Sequence, residues 1–269
     1  MKLLFCIFLL AFQQLESTKI HIVNECNHAL HVVIFDHGLS EFSGFELEGD
    51  DTKVVDVSSN WEGSIFARTG CQSSLETCET GFCGQHDNCT FSDMSQVVRP
   101  FTTAKIHLAS KQASYSPDKY GVHIKNGFNR DISIKPITKT YNTLNEKDHF
   151  CKETKMCLGN ILLTCPQEMK HFNSNGHTIG CYTTCLKKRY MKKGCDAMGT
   201  LDTQYRSSVE DNDHKTLHGD VVDFYANKCP DYINYINNVN SPSQNTFECN
   251  GKLPNTSADY QVTFCGPNQ

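Results

Sequence analysis

The sequence predicts a mainly β protein: a flattened antiparallel β-sandwich with a small disulfide-rich helical second domain. In the first half, short runs rich in β-branched residues are separated by turn signals, which is typical of a sandwich or a barrel. From Cys151 to Cys229 there are seven cysteines and few alternating runs. A chain of 269 residues is long enough for one large all-β domain or for two domains.

Eight runs are predicted to be strands because they are rich in β-branched residues or alternate between apolar and polar positions. They cover residues 19–23, 29–35, 52–57, 64–68, 104–108, 120–125, 131–135 and 260–265. Residues 36–50 are mixed and dotted with glycine, so they are expected to form turns. Asn126-Gly127 predicts a hairpin between the sixth and seventh strands, because both residues accept positive φ.

Helix-compatible stretches lie in the second half of the chain. Residues 160–165 run up to Pro166, which ends a helix or sets a turn. Residues 221–228 are expected to form a short helix capped by Asp220. Residues 199–219 are polar and lack cysteine, which predicts a surface loop.

The N-terminus is typical of a secretory signal peptide, predicted to cover residues 1–18. Lys2 supplies a positive start, and the apolar run 3–12 is too short to span a membrane as a mature helix. No later stretch is apolar enough to be transmembrane, so we expect a secreted, extracellular protein. We also expect it to be a monomer. Fifteen cysteines support this compartment, because removal of Cys6 with the signal leaves an even fourteen for disulfides.

Several function classes are disfavoured. The net charge of −5 argues against nucleic-acid binding, since no basic surplus neutralises phosphates. Cys83, His86 and Cys89 invite a zinc site, but their irregular spacing in an oxidising compartment favours disulfides, so no metal and no cofactor is expected. The chain also lacks the Gly-x-Ser-x-Gly elbow of many hydrolases.

Three surface features have more than one interpretation. Residues 187–193 hold five positive charges, which either bind an anionic surface or form a solvated face. Asn255 begins an Asn-Thr-Ser glycosylation acceptor beside Pro254. Trp61 is either a sugar-stacking platform or, by default, a partly packed core residue.

A set of motifs carries a resemblance to a known family. Phe-Ala-Arg-Thr-Gly-Cys at 66–71 is followed by Cys-Glu-Thr-Gly-Phe-Cys-Gly at 78–84. Further motifs are Ile-Val-Asn-Glu-Cys at 22–26, Gly-Phe-Asn at 127–129, Cys157-x7-Cys165-Pro166, Cys-Pro-Asp at 229–231, and Tyr-Gln-Val-Thr-Phe-Cys at 260–265. In this order, over nearly all of the mature chain, they resemble the thaumatin-like proteins.

The resemblance implies a disulfide pairing and a division of the chain. The core sandwich would be 19–150 plus 250–269, and the disulfide-rich helical region 151–249. The implied pairs are Cys26–Cys265, Cys71–Cys78, Cys83–Cys89, Cys151–Cys249, Cys157–Cys229, Cys165–Cys181 and Cys185–Cys195.

The family has a cleft between its domains, lined by one arginine and four carboxylates and associated in some members with β-1,3-glucan binding or hydrolysis. The matched positions are Arg68, Lys105, Gly121, Asn126 and Asp231. One carboxylate is therefore kept, as Asp231, and Lys105 reverses a charge. Because glycosidases usually use two carboxylates, Asp231 alone does not support that chemistry.

A second carboxylate would have to come from outside these positions. Asp131 and Asp87 are the candidates, although both are expected to be exposed turn residues. Arg68 and Asp231 are interpreted either as ligand-binding residues or as an ion pair that holds the domains together.

Three functions follow from the resemblance and its departures. The favoured one is a non-catalytic defence or antimicrobial protein that recognises β-1,3-glucan or a microbial surface. The alternatives are a weak endo-β-1,3-glucanase using Asp231, and a secreted protein-interaction scaffold using the basic segment 187–193 or the loop 199–219.

Overall fold

The computed structural model describes residues 17–72, 75–85, 87–109, 116–142, 148–183, 186, 224–233, 245–253 and 256–266. Five predictions lie outside these residues: the signal peptide before Ser17, the Cys185–Cys195 pair, the basic segment 187–193, the loop 199–219 and the Asn255 acceptor. Within the described residues, no helix is long and apolar enough to cross a membrane.

The described part of the chain contains thirteen strands, the short helix α1 and a second short helical segment. The strands are β1 Thr18–Asn24, β2 Leu30–Asp36, β3 Glu41–Leu47, β4 Thr52–Val57, β5 Glu62–Arg68, β6 Thr103–His107, β7 Asp118–His123, β8 Ile132–Pro136, β9 Lys170–Phe172, β10 Thr178–Cys181, β11 Tyr232–Ile233, β12 Phe247–Cys249 and β13 Tyr260–Phe264. The helix α1 is Ile161–Thr164, and residues 224–228 are also helical.

The strands form two large sheets and one hairpin. One sheet has the order β4-β1-β13-β8, and the other has the order β11-β7-β6-β5-β2-β3 with β12 also paired to β7. β9 and β10 form the hairpin. Pairing is antiparallel except between β1 and β13 and between β7 and β11. The predicted mainly β sandwich is confirmed.

The main core lies between the two large sheets. Alternate residues of β2, β5, β6 and β7 face inwards from the larger sheet, and Ile20, Val262 and Ile134 face them from the smaller one. Trp61 is 5% exposed and belongs to this core, so its default interpretation as a packed residue is right. The opposite, outer face of the larger sheet holds a second hydrophobic cluster and the candidate site.

That second cluster covers one end of the outer face of the larger sheet. Val33 of β2 and Phe66 of β5 pack there with Cys83, Val97 and Phe101 from the segment between β5 and β6. The rings of Phe66 and Phe101 lie 4.8 Å apart. The remaining part of this outer face is where the cavity described below opens.

Two local predictions are wrong. Residues 36–50 contain strand β3, which was missed because it lies at the sheet edge and most of its side chains are not buried, so it lacks an apolar alternation. The turn at Asn126-Gly127 does not make a hairpin, because β7 and β8 belong to different sheets. Gly127 has φ +90°, and a Cβ there would lie 2.3 Å from Cβ of Pro100.

Six of the seven implied disulfides lie among the described residues and are formed there. They are Cys26–Cys265, Cys71–Cys78, Cys83–Cys89, Cys151–Cys249, Cys157–Cys229 and Cys165–Cys181. The first joins the two ends of the sandwich across 239 residues of sequence.

The segment 151–249 is not built from helices alone. Asn160 caps α1, as its Oδ1 accepts from the amide of Leu163. However, β11 and β12 from the same segment extend the larger sheet, because both pair with the edge of β7 that faces away from β6. At the other terminus, Thr18 pairs with Val57, so a signal boundary after residue 18 would fall within β1.

Candidate functional site

The candidate site lies on the outer face of the larger sheet, where two rows of side chains cross three strands. Ser64 of β5, Lys105 of β6 and Gly121 of β7 are register partners in one row. Glu62, His107 and Lys119 form the next row. Because side chains alternate between faces along a strand, all six positions share this face.

All of these positions except Ser64 line a cavity of about 150 Å³, which we call the cleft cavity. Its charged and titratable lining residues are two lysines, three histidines and one glutamate. They are Lys105, Lys119, His37, His107, His123 and Glu62. The described lining is therefore basic rather than acidic.

Glu62 is the one carboxylate among the described lining residues. Its Oε2 lies 3.1 Å from Nδ1 of His107, and both side chains are 55% exposed. A solvent-exposed pair of this kind contributes only about 0–1 kcal/mol. His37 is fixed more firmly, since its Nε2 lies 2.8 Å from Oγ of Ser64 and its amide donates to the carbonyl of Glu62.

Burial and neighbouring lysines keep two cleft histidines neutral. Burial, then Lys105 and Lys125, lower the pKa of His123 to about 3. Burial is also the main cause that lowers the pKa of His37, with Lys105 acting in the same direction and Glu62 and Asp36 against it. These imidazoles therefore act as neutral hydrogen-bonding groups around neutral pH.

The glycine at the matched aspartate position is covered by a neighbouring side chain. A Cβ on Gly121 would lie 2.9 Å from Cδ1 of Ile233 and 3.3 Å from the carbonyl oxygen of Asn245. Ile233 of β11 thus occupies the space into which a side chain at residue 121 would grow. An aspartate there would require Ile233 to move.

Arg68 lies outside the cleft cavity. It is 1% exposed at the end of β5, and its Nη2 donates to the carbonyl oxygen of Asp87 at 3.0 Å. Gly44 lets the segment around Asp87 pack close to β3, because a Cβ on Gly44 would lie 1.8 Å from the carbonyl oxygen of Asp87. Arg68 therefore supports the Cys83–Cys89 loop, and Asp87 is exposed as expected.

Asp231 also lies outside the cleft cavity, where its Oδ2 accepts from the amide of Lys155 at 2.7 Å. Both Arg68 and Asp231 are described, and no ion pair joins them. The hydrogen bonds described for these two side chains go to backbone groups of other segments.

Asp131 is buried, contrary to the prediction of an exposed turn carboxylate. It is 1% exposed, and its Oδ1 accepts from the hydroxyl of Tyr232 at 3.0 Å and from the amide of Cys157 at 3.1 Å. Its position ties the start of β8 to two distant segments. Asp131 therefore has a structural role and does not face the cleft cavity.

Asn126 belongs to a second basic group near the turn after β7. Its Oδ1 accepts from Nε of Arg99 at 3.1 Å. Burial, then Arg99, lower the pKa of Lys125. Of the five matched cleft positions, the structure thus brings only Lys105 and Gly121 together in the cavity.

Sequence reasoning missed most of the residues that line this cavity. Glu62 could have been predicted from the sequence, because it lies six residues before Arg68 in the same strand and therefore on the same face of the sheet. His107 and Lys119 follow from the same alternation once the strand register is known. His37 follows the end of β2, and no motif pointed to it.

Among the residues described, no group of three or more His, Cys, Asp and Glu side chains is arranged to hold a metal ion. Cys83 and Cys89 form a disulfide, which removes both from the zinc interpretation.

Comparison with known proteins finds several relatives of similar sequence. The chain is 28% identical to a glucan endo-1,3-beta-glucosidase of Prunus avium over 227 residues, covering 83% of this chain and 79% of that protein. It is 27% identical to thaumatin-like protein 1a of Malus domestica, with coverage of 83% and 78%. It is 25% identical to pathogenesis-related thaumatin-like protein 3.5 of Cryptomeria japonica, with coverage of 93% and 90%.

Solved structures and a protein family also match the chain. The thaumatin-like xylanase inhibitor TLXI matches with a TM-score of 0.43 and 15% identity, covering 92% of this chain and 99% of that one. The thaumatin family matches residues 24–266, which is most of the sequence. The chain belongs to the thaumatin family.

Proposed function

We propose that this protein is a secreted, non-catalytic defence protein that recognises β-1,3-glucan on fungal or other microbial surfaces through the cleft cavity. The observation that carries the proposal is the composition of the cavity lining. It presents lysine and histidine donors with one carboxylate, Glu62, which pairs with His107.

The carboxylates argue against hydrolysis of the ligand. A glycosidase positions two carboxyl groups about 5–5.5 Å or about 6.5–9.5 Å apart. Asp231 accepts from a backbone amide outside the cavity, and Asp131 is buried in contact with Tyr232. Neither is positioned as a partner for Glu62 in the cavity lining, so binding without bond cleavage is the better-supported function.

The mode of recognition would be hydrogen bonding rather than stacking. Tyr120 is the aromatic residue of the described lining besides the histidines, and it is 2% exposed. Neutral His37 and His123 and charged Lys105 provide donors and acceptors for sugar hydroxyls. The names of the relatives support glucan as the ligand and defence as the setting, since one is a glucan endo-1,3-beta-glucosidase and another is pathogenesis-related.

The test combines binding and hydrolysis in one sample. Purified, disulfide-intact protein is mixed with insoluble β-1,3-glucan at about pH 5 and about pH 7. Depletion from the supernatant and release of reducing ends are both measured. We expect depletion without release.

Substitutions test whether glucan binds in the cleft cavity. Lys105→Ala should weaken glucan binding about tenfold, because a hydrogen bond from a charged group is worth roughly 1.5–3 kcal/mol. The matched control is Lys135→Ala, a lysine on a strand of the other sheet, which should bind like the wild type. Release of reducing ends that is lost in Glu62→Gln or Asp231→Asn would instead establish an endo-β-1,3-glucanase.

A further inference from the structure

Asn88 begins the sequence Asn-Cys-Thr at residues 88–90, which matches the acceptor motif for N-linked glycosylation. The motif lies at the end of the loop that the Cys83–Cys89 disulfide closes. Asn88 and Thr90 are both exposed, whereas Cys89 between them is half-buried. The two residues that define the acceptor are therefore on the surface of the folded protein.

The side-chain amide of Asn88 has its oxygen directed towards the protein. Its Oδ1 accepts a hydrogen bond from the backbone amide of Gly44 at 3.4 Å. Among the described residues, no hydrogen bond uses Nδ2 of Asn88, which is the atom that would carry a sugar. Because glycosylation of Nδ2 leaves the side-chain carbonyl in place, a glycan is compatible with the contact to Gly44.

The loop that carries Asn88 is held against strand β3 by backbone contacts. Nη2 of Arg68 donates to the carbonyl oxygen of Asp87, the residue that precedes Asn88. The backbone of Asp87 lies so close to Gly44 that a Cβ on this glycine would overlap it. The folded protein therefore fixes Asn88 beside the middle of β3.

Strand β3 is the last strand on its side of the larger sheet, and no described strand pairs with its outer edge. In an antiparallel pair, alternate residues direct their backbone N–H and C=O groups away from the partner strand. The hydrogen bond to Asn88 identifies Gly44 as such a residue, so Phe42 and Glu46 also present these groups at the open edge. An open edge of this kind is a template for pairing with another chain.

We propose that Asn88 carries an N-linked glycan in the mature protein and that this glycan covers the open edge of β3. A bulky, hydrated glycan on Nδ2 would occupy the space beside Gly44 that a strand of another molecule needs. The inference requires the secreted setting proposed above. It does not depend on glucan binding, since Asn88 does not line the cleft cavity.

The experiment expresses the full chain with its own N-terminus in a cultured animal cell line and collects both medium and cells. All proteins carry Asn255→Gln, which removes the other Asn-x-Ser/Thr acceptor of the chain. Peptide mass spectrometry before and after treatment with peptide N-glycosidase F measures the modified fraction of Asn88. We expect a secreted protein in which most Asn88 side chains carry a glycan.

The two ways in which this expectation can fail are distinguishable. Secreted protein that is unmodified at Asn88 would overturn the glycan and leave the proposed glucan-binding function standing. Protein that stays in the cells without a glycan would overturn the secreted setting, and the glycan with it.

Two substitutions of Thr90 separate the effect of the glycan from that of the Asn88 side chain. Thr90→Ala removes the acceptor motif but keeps the contact between Asn88 and Gly44, so this variant should carry no glycan. Thr90→Ser keeps the motif and should be glycosylated like the parent protein. At equal concentration, Thr90→Ala should aggregate severalfold faster than Thr90→Ser, as measured by light scattering. Thr90→Ser treated with peptide N-glycosidase F after folding should aggregate like Thr90→Ala.

A third substitution tests whether aggregation occurs through the edge of β3. Ser43 is exposed on this strand, and Ser43→Lys adds a charge of the kind that protects edge strands in other proteins. In the Thr90→Ala background, Ser43→Lys should return the aggregation rate to that of Thr90→Ser. Equal aggregation with and without the glycan, or no recovery with Ser43→Lys, would overturn the proposed cover of the edge.

Discussion

The partly buried imidazole of His123 should make the stability of this protein depend on pH. The unfolded chain carries an ordinary histidine with a pKa of 6.5, whereas the folded state lowers that pKa to about 3. Between these values the unfolded state binds a proton that the folded state does not. The stabilisation from His123 is therefore complete above about pH 6.5 and is lost as the pH falls towards about 3.

The size of this loss follows from the difference in pKa. At about pH 5 the solution lies roughly 1.5 units below the ordinary histidine pKa, and each unit corresponds to about 1.36 kcal/mol. If His123 bound no proton in the folded state over this range, the free energy of unfolding would fall by about 2 kcal/mol. Because the ring is partly exposed to solvent, the expected fall is smaller. We expect His123 to contribute about 1–2 kcal/mol of destabilisation between about pH 7.5 and about pH 5.

The assay is guanidinium unfolding of the disulfide-intact protein at these two pH values. His123→Gln removes the titrating group. Between the two pH values, the free energy of unfolding of this variant should therefore fall by about 1–2 kcal/mol less than that of the wild type. His177→Gln, at an exposed histidine, is the matched control and should keep the wild-type difference. An equal loss in the wild type and His123→Gln, or an NMR titration of His123 near pH 6.5, would refute the reasoning.

Three other substitutions test the buried contacts and the charge of the site. Asp131→Asn should lower the free energy of unfolding by about 1–3 kcal/mol, because two buried donors lose a charged acceptor. Gly121→Asp should destabilise by about 1–3 kcal/mol through its contact with Ile233, and adding Ile233→Ala should recover part of that loss relative to Ile233→Ala alone. Lys105→Gln should raise the pKa of His37 in an NMR titration, since the lysine charge lowers it.

Each of these substitutions has a control or a contradicting outcome. Asp148→Asn, at an exposed carboxylate, should leave the free energy of unfolding within about 0.5 kcal/mol of the wild type. Strict additivity of Gly121→Asp and Ile233→Ala would mean that the two positions do not compete for space. An unchanged His37 pKa in Lys105→Gln would contradict the electrostatic account of the cleft.

Much of the fold was predictable because it depends on local alternation and on cysteine order. Strands β1, β2, β4 and β5 were placed to within two residues at each end, since their sequences are rich in β-branched and apolar residues. Strand β3 was missed because an edge strand pairs through its backbone while leaving most side chains outside the core. Local preference also correctly gives a turn at Asn126-Gly127, but it does not determine which sheet the next strand joins.

The site was less predictable because it depends on register and on contacts between distant residues. The acceptor role of Asp131 requires Tyr232, which is 101 residues away in the sequence. The position of Gly121 beside Lys105 is set by the pairing of β6 with β7, and its cover by Ile233 is set by β11. A motif can place a residue near a cleft, but only packing decides whether its side chain faces the ligand or supports the backbone.

The most direct test of the central claim is a titration of histidine-labelled protein with a soluble β-1,3-glucan hexasaccharide, followed by the imidazole NMR signals. The account predicts saturable shifts at His37, His107 and His123, with smaller changes at His171 and His177, and an intact hexasaccharide at the end. Cleavage of the hexasaccharide, or saturable shifts confined to histidines outside the cleft cavity, would contradict it.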